Sequence, residues 1–416
     1  MTNRKLVFFS MLALILVVAT FSVDQTTAVS AAPPGGGILV DNDLVQCPDA
    51  QYTSIQAAVN AASPNATISV CPGTYAEEVR IAKPLTIRGI AVGNENLAVI
   101  MPPIAAANTT SFGGTPTAAI VLVEKTSNVT LDNLTVDGAS NTLGGCAVNI
   151  VGIYYRNASG NIDNAAVRNI RLFPDSLLGC QTGLGIYAQA GNEPGVTRGA
   201  RLTVTNSSVH DYQKNGITAD AAGTELTATG NAVTGLGPTP AIAQNGVQVS
   251  RGATGRLEGN SVINHIYSLC VSTSSCGAVS TNILTFQTSS VKIMKNNLGK
   301  AQVNVYLDGS NNDLTNNTIF DTDVFDGVFI FGDNNKVNTN TIFNSDEAAV
   351  WIDGNNNHVN ANTFNEAPIG VMNDGTGNLI NGNKFYNIAE RILPAPSSFA
   401  RLSVGGNARN TSPAQP

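Results

Sequence analysis

The sequence predicts an all-β chain, a single right-handed parallel β-helix of roughly eleven coils with a short N-terminal capping helix. Three observations carry that prediction. A repeat of 21 to 23 residues recurs in the C-terminal half. Inside each repeat the apolar residues alternate with a period of two, as side chains do along a strand. Asparagines recur at fixed places between the strands.

The repeat is clearest from Val305 to Ile388. Val305–Gly309, Val328–Gly332, Val350–Gly354 and Val371–Gly375 align at spacings of 23, 22 and 21 residues. Each is followed by an asparagine turn: Asn311 and Asn312, Asn334 and Asn335, Asn355 to Asn357, and Asn378. In the first strand of a coil, Val328 and Ile330 point inward and Phe329 outward. Gly332 is expected to turn the chain because glycine accepts positive φ. A second strand follows at Val337. A second turn carries Asn317, Asn340, Asn362 and Asn383 in successive coils. A third strand at Ile342 leads into a third, more variable turn. One coil cannot bury its own apolar face, but coils stacked at about 4.8 Å share a core and pair their backbone amides. Equivalent asparagines then form a side-chain ladder.

Upstream the pattern is looser. Asn206, Asn231, Asn260 and Asn296 read as earlier rungs, and Ile186, Ile217 and Val247 begin strands equivalent to Val328–Ile330. The long interval from Asn260 to Asn296 reads as an insertion. An open solenoid end needs a cap. Ile55, Ala58, Val59 and Ala62 recur at helical spacing after Thr53 and Ser54 and supply it.

The two ends read differently. Arg4 and Lys5, an apolar run from Leu6 to Ala19, and small residues at Val29-Ser30-Ala31 form a signal-peptide pattern over residues 1–32. Residues 33–50 read as an N-terminal extension, 51–390 as the β-helix, and 391–416 as a disordered tail rich in Pro, Ser and Asn. No further apolar segment follows, so a secreted protein without a membrane anchor is expected. Six cysteines in an exported chain read as disulfides, with fifteen pairings open. The sequence-local set, Cys47 with Cys71, Cys146 with Cys180 and Cys270 with Cys276, is the favoured one. A net charge of -7 argues against nucleic acid as a partner.

The segments Tyr52–Val59, Ile68–Val70, Pro72–Tyr75, Val79–Ile81 and Leu85–Ile87 resemble the opening of pectinesterases and other pectin lyase-like proteins. The resemblance covers residues 52–90 and implies the right-handed parallel β-helix fold. It also implies that ligands lie along the strand after the third turn. The chemical motifs of the superfamily are not intact. Phe329–Gly332 echoes the Asp-Phe-Ile-Phe-Gly of pectinesterases with Val328 in place of the acid, and no Gln-Asp-Thr is present. Trp351-Ile352-Asp353 echoes a pectate lyase motif, but Gly354 follows where that motif has His. The polygalacturonase motifs are absent.

Three groups of residues are candidates for function. On the outward face of the first strands, Tyr187, Thr218, Gln248, Tyr306, Phe329, Trp351 and Met372 fall in one column. Tyr306, Phe329 and Trp351 on consecutive rungs suggest a stacking platform for sugar rings. The third turns are acidic: Asp321, Asp323, Asp326 and Glu347 could hold Ca²⁺, the one cofactor considered, and Asp323 and Asp326 could act as acid and base. In an earlier third turn His210, Asp211, Tyr212 and Lys214 could serve uronate chemistry. His265 and His358 are expected at the surface. Two classes of function follow. The first is a secreted protein that binds extracellular or cell-wall polysaccharide along the aromatic face. The second is a carbohydrate-active enzyme, a lyase, epimerase, esterase or hydrolase acting on an acidic polysaccharide.

Overall fold

A computed structural model describes residues 37–90, 97–102, 106–271 and 276–394. Each coil contains the three strands expected. The second strands form one parallel sheet, thirteen strands among the described residues, from Ile38–Val40 to Leu379–Asn381. Eleven of them, beginning at Leu85–Gly89, match the coil count read from the repeat. The first and third strands pair in the same in-register way. Val305 pairs with Val328, Val328 with Val350 and Val350 with Val371. Like side chains therefore stack on like, and these four valines are fully buried. The core is a continuous column of Val, Ile and Leu, as alternation requires.

The asparagine ladder is real and hydrogen-bonded. At the second turn Asn231, Asn260, Asn296, Asn317, Asn340, Asn362 and Asn383 each link to the next through Nδ2–H···Oδ1 bonds of 2.9–3.0 Å. Each Oδ1 also accepts the backbone N–H of the rung before it, for example Asn317 N–H to Asn340 at 2.8 Å. The expected rung at Asn206 belongs instead to Ser207, whose N–H donates to Asn231 Oδ1 at 3.0 Å. Asn206 precedes it with φ 50°. A second ladder at the first turn joins Asn312, Asn335, Asn357 and Asn378 through backbone N–H to Oδ1 bonds of 2.7–2.9 Å.

The glycine column corrects one expectation. Gly332 does not have the positive φ it was expected to need; it is needed for space. A Cβ there would lie 2.0 Å from the Gly309 carbonyl oxygen, and the same crowding recurs at Gly354 and Gly375. Asparagine is the commonest residue at the left-handed positions among the described residues, with Asn311, Asn334 and Asn356 among them.

The cap helix is Ile55–Ala61. Ser54 Oγ accepts the Ala57 N–H, and the Glu77 carboxylate takes the Ile55 and Gln56 N–H groups at 2.7 and 2.8 Å. Ile55, Ala58, Val59 and Ala62 are buried against the first coils. Two boundaries shift. Ile38–Val40, read as extension, is the first strand of the sheet and pairs with Ile68–Val70. Residues 391–394, read as tail, complete the last strand, Lys384–Pro394. The expected leader and the rest of the tail lie outside the described residues. All three sequence-local disulfides are present: Cys47–Cys71, Cys146–Cys180 and Cys270–Cys276.

Candidate functional site

The outward column of the first strands contains the expected residues and two more rungs, Tyr154 and Leu284. Register runs Tyr154, Tyr187, Thr218, Gln248, Leu284, Tyr306, Phe329, Trp351 and Met372. Outward does not mean exposed. Phe329 and Trp351 are 9% and 8% exposed, Met372 is fully buried, and Tyr306 is half-buried. The rings pack on one another, with centroids 4.9 Å apart for Tyr306–Phe329 and 4.7 Å for Phe329–Trp351. Val303, Phe325, Ala348 and Cys270 cover their flanks, and the Trp351 Nε1–H donates to Asp374 at 2.9 Å. The ridge is therefore a second hydrophobic core under the third turns, not an open stacking platform.

Tyr187 and Gln248 also lie on this face and are also buried. Tyr187 stacks on Tyr154 at 4.8 Å, and its hydroxyl donates to Asp220 at 3.2 Å. Asp220 further accepts Gln189 at 3.0 Å, Ser250 at 2.9 Å and Arg251 Nε at 2.7 Å. Gln248 joins through Asn215 and Ser250. Sequence reading missed this network because its members are spread over four coils. The register that joins Gln189, Asp220 and Ser250, two residues after the Tyr187 column, is the signal that finds them.

The segment 210–214 does not converge into one site. His210 Nδ1 meets Asp211 Oδ2 at 2.6 Å, and both are partly exposed. Asp211 has φ 54°. That bulge resets the alternation, so Tyr212 points into the core and is 0% exposed. Its hydroxyl bonds His265 Nε2, and His265 Nδ1–H donates to Asn282 at 2.6 Å. His265 is thus buried and not at the surface as expected, and burial pushes its imidazole down to about 4. The polar chain continues from Asn282 through Asn304 to Thr322. Lys214 is buried separately, with Nζ on the Ala243 carbonyl at 2.7 Å, and burial lowers its amine to about 8. His358 is exposed on its strand, as expected.

The third-turn acids do assemble in part. Asp321, Asp323 and Asp346, with Lys300 and Asn344, line a cleft of about 590 Å³. Ile266, Val271 and Val324 supply its apolar walls. Thr322 pairs with Ser345, so Asp323 and Asp346, the next residues, sit on successive rungs. Asp346 Oδ2 accepts the Val324 N–H at 2.9 Å, and Asp321 accepts the Asn344 amide at 2.8 Å. Desolvation, with the Asp346 charge second, pushes the Asp323 carboxyl above the usual carboxylate range. Asp326 and Glu347 do not line the cleft; Asp326 is 1% exposed, turned under the loop before Val328. Among the described residues no three His, Cys, Asp or Glu side chains come together as an ion would need, so the expected Ca²⁺ set does not form.

The cleft and the ridge share residues. Cys270 and Val324 pack on the aromatic rings and line the cleft. The ridge thus supports the cleft wall.

The profile of the family described as "Right handed beta helix region" matches residues 196–364 and does not reach the pectinesterase-like opening. The chain is similar to the A-module of the mannuronan C-5 epimerase AlgE4 of Azotobacter vinelandii: 16% identity, TM-score 0.50, covering 83% of this chain and 95% of that one. It is similar to the GH136 lacto-N-biosidase of Eubacterium ramulus at 12% identity and TM-score 0.52, over 86% of this chain and 68% of that one. A third likeness is the Dettilon tailspike protein: 14% identity, TM-score 0.52, with 81% and 65% covered. The chain thus spans just under two thirds of that tailspike. No curated protein matches the sequence. At these identities the likenesses speak to the fold, and this chain is a right-handed parallel β-helix.

Proposed function

We propose that this is an exported polysaccharide-binding β-helix and that it holds its glycan in the third-turn cleft. The observation that carries the reading is the lining of that cleft. It sets Asp321, Asp323, Asp346, Asn344 and Lys300 beside the apolar Ile266, Val271 and Val324. Sugar rings present hydroxyls at their edges and C–H groups on their faces, so carboxylates and amides next to apolar walls are a suitable lining. Three carboxylates against one lysine disfavour an anionic chain there and favour a neutral or amino sugar. Three disulfides and the leader-like N-terminus suit an oxidising compartment outside the cytoplasm. The three similar structures include proteins titled as an epimerase, a biosidase and a tailspike, which fits a glycan partner.

One observation favours a second reading, hydrolysis of the bound glycan. Asp323 and Asp346 sit on successive rungs, and Asp323 leans toward its protonated form. Backbones of successive rungs lie about 4.8 Å apart, so carboxyls on adjacent rungs can approach the separation of roughly 5 Å used by retaining glycosidases. Asp323 would protonate the glycosidic oxygen while Asp346 attacks the anomeric carbon, and water would release the sugar in a second step.

The test is an array of neutral, amino and uronate polysaccharides with the mature chain, read for binding and for released reducing ends. Binding of a neutral or amino glycan without products, weakened in Asp346→Asn, supports the binding protein. Product release abolished in both Asp323→Asn and Asp346→Asn establishes the hydrolase. Binding that Asp346→Asn leaves untouched refutes the cleft.

A further inference from the structure

The first turns form a cleft of their own, of about 750 Å³. Four successive coils wall it, from Lys125 through Asn157 and the inserted residues 195–199 to Gly223. The cations Lys125, Arg198 and Arg201 line it against one carboxylate, Glu225. Two of the cations are matched: Lys125 Nζ lies 2.7 Å from Glu193, and Arg201 Nε lies 2.7 Å from Glu225. Arg198 has no carboxylate partner among the described residues. Its Nε donates to the Ala222 carbonyl at 2.9 Å and its Nη1 to the Asn192 amide oxygen at 3.4 Å. Two neutral groups therefore orient the guanidinium and leave its Nη2 edge uncommitted. In a chain of net charge -7 this cleft therefore keeps one cation, Arg198, without a carboxylate partner. The third-turn cleft has the opposite sign.

We propose that this first-turn cleft is a second glycan site, selective for a carboxylate-bearing sugar, with the uronate carboxylate seated on Arg198. A planar guanidinium with free N–H groups is the side chain best matched to a planar carboxylate. Hydroxyl groups of Thr126 and Ser127 in the same lining suit the sugar's hydroxyls, and the cleft's run over four coils suits a linear chain. The site rests on the reading that this protein meets glycans but uses none of the third-turn residues. It would let one solenoid hold an acidic glycan on one flank and a neutral or amino glycan on the other. Arg198 is exposed, so the pairing weakens as salt screens it.

The experiment is calorimetric titration of the mature chain at low salt with an oligogalacturonate, its methyl ester, and a sulfated neutral oligosaccharide of equal length. The expected result is binding of the oligogalacturonate, loss of it on esterification, and weakening by about tenfold in Arg198→Ala, the equivalent of one charge-assisted contact. Arg198→Lys should recover part of the affinity. The melting temperature should not move, because Arg198 is at the surface. No binding of the oligogalacturonate, equal binding of its ester, or equal affinity in Arg198→Ala overturns the site. Preference for the sulfated sugar overturns the uronate assignment. Asp346→Asn should leave this binding intact. Uronate binding without neutral-glycan binding would therefore sink the third-turn reading alone, and the reverse would sink this one.

Discussion

Replacing His265 by glutamine should remove a specific part of this protein's acid sensitivity. His265 is fully buried between the Tyr212 hydroxyl and Asn282, and burial pushes its imidazole down to about 4 from 6.5. In the unfolded chain the ring takes up a proton near pH 6.5, in the folded one only near 4. Between those values the unfolded state binds more protons, so stability falls as pH falls, by about 1.4 kcal/mol per pH unit. Over this interval the loss reaches roughly 3 kcal/mol, and below pH 4 it grows no further. Glutamine can still bond Asn282 and Tyr212 but does not titrate. The assay is urea unfolding from pH 4 to 8 for both chains. The wild-type stability minus that of the variant should drop by about 3 kcal/mol between pH 7 and pH 4. Curves that stay parallel across that range refute the reasoning, because they would mean that the ring titrates alike in both states.

Three more outcomes follow from the same structure. Asn317→Ala breaks the ladder in mid-column and strips the Asn296 and Ile293 groups of their partners, so urea unfolding should show a loss of roughly 2–4 kcal/mol. Gly332→Ala drives a Cβ against the Gly309 carbonyl and should cost about 3 kcal/mol or more, seen as a lower melting temperature. Lys214→Met should stabilise the chain at pH 7. The buried amine loses its proton near pH 8 in the folded state against about 10.5 unfolded, so the cost of burying its charge is fully present below 8 and fades as pH rises to 10.5. The advantage of the variant should shrink over that interval.

The repeat was legible because the fold repeats it. Alternation and turn asparagines fix which residues face in, and they also fix the column Tyr306, Phe329 and Trp351. What alternation does not report is whether an outward residue meets water. Phe325 and Cys270 cover the ridge, and they come from third turns whose lengths follow no period. The same limit hid Tyr212 and His265. A single left-handed residue, Asp211, turned the next side chain inward, and no spacing rule marks an Asp as a bulge. Gln189, Asp220 and Arg251 went unread because single residues in separate coils carry no local pattern.

Both clefts occur where the repeat is broken, and a physical reason ties them together. A column of equal coils makes a flat ridged wall, since each side chain is bounded by its equivalents above and below. Concavity needs a long turn beside short ones. The third-turn cleft has Pro238 and Ile266–Val271 from long insertions, facing the short turns at Asp323 and Asp346. The first-turn cleft has the inserted residues 195–199 between the short turns at Asn157 and Gly223. The chain pins or supports these insertions. Cys270–Cys276 closes one of them, and the aromatic ridge packs beneath it. Lys125 and Arg156 both pair with Glu193 at the root of the other. Regular coils thus supply the wall, and departures from regularity supply the concave surfaces. If the protein binds glycans as proposed, the residues that select them are therefore expected in the turns of unequal length, where Asp346 and Arg198 lie, and not in the aromatic column that the repeat makes conspicuous.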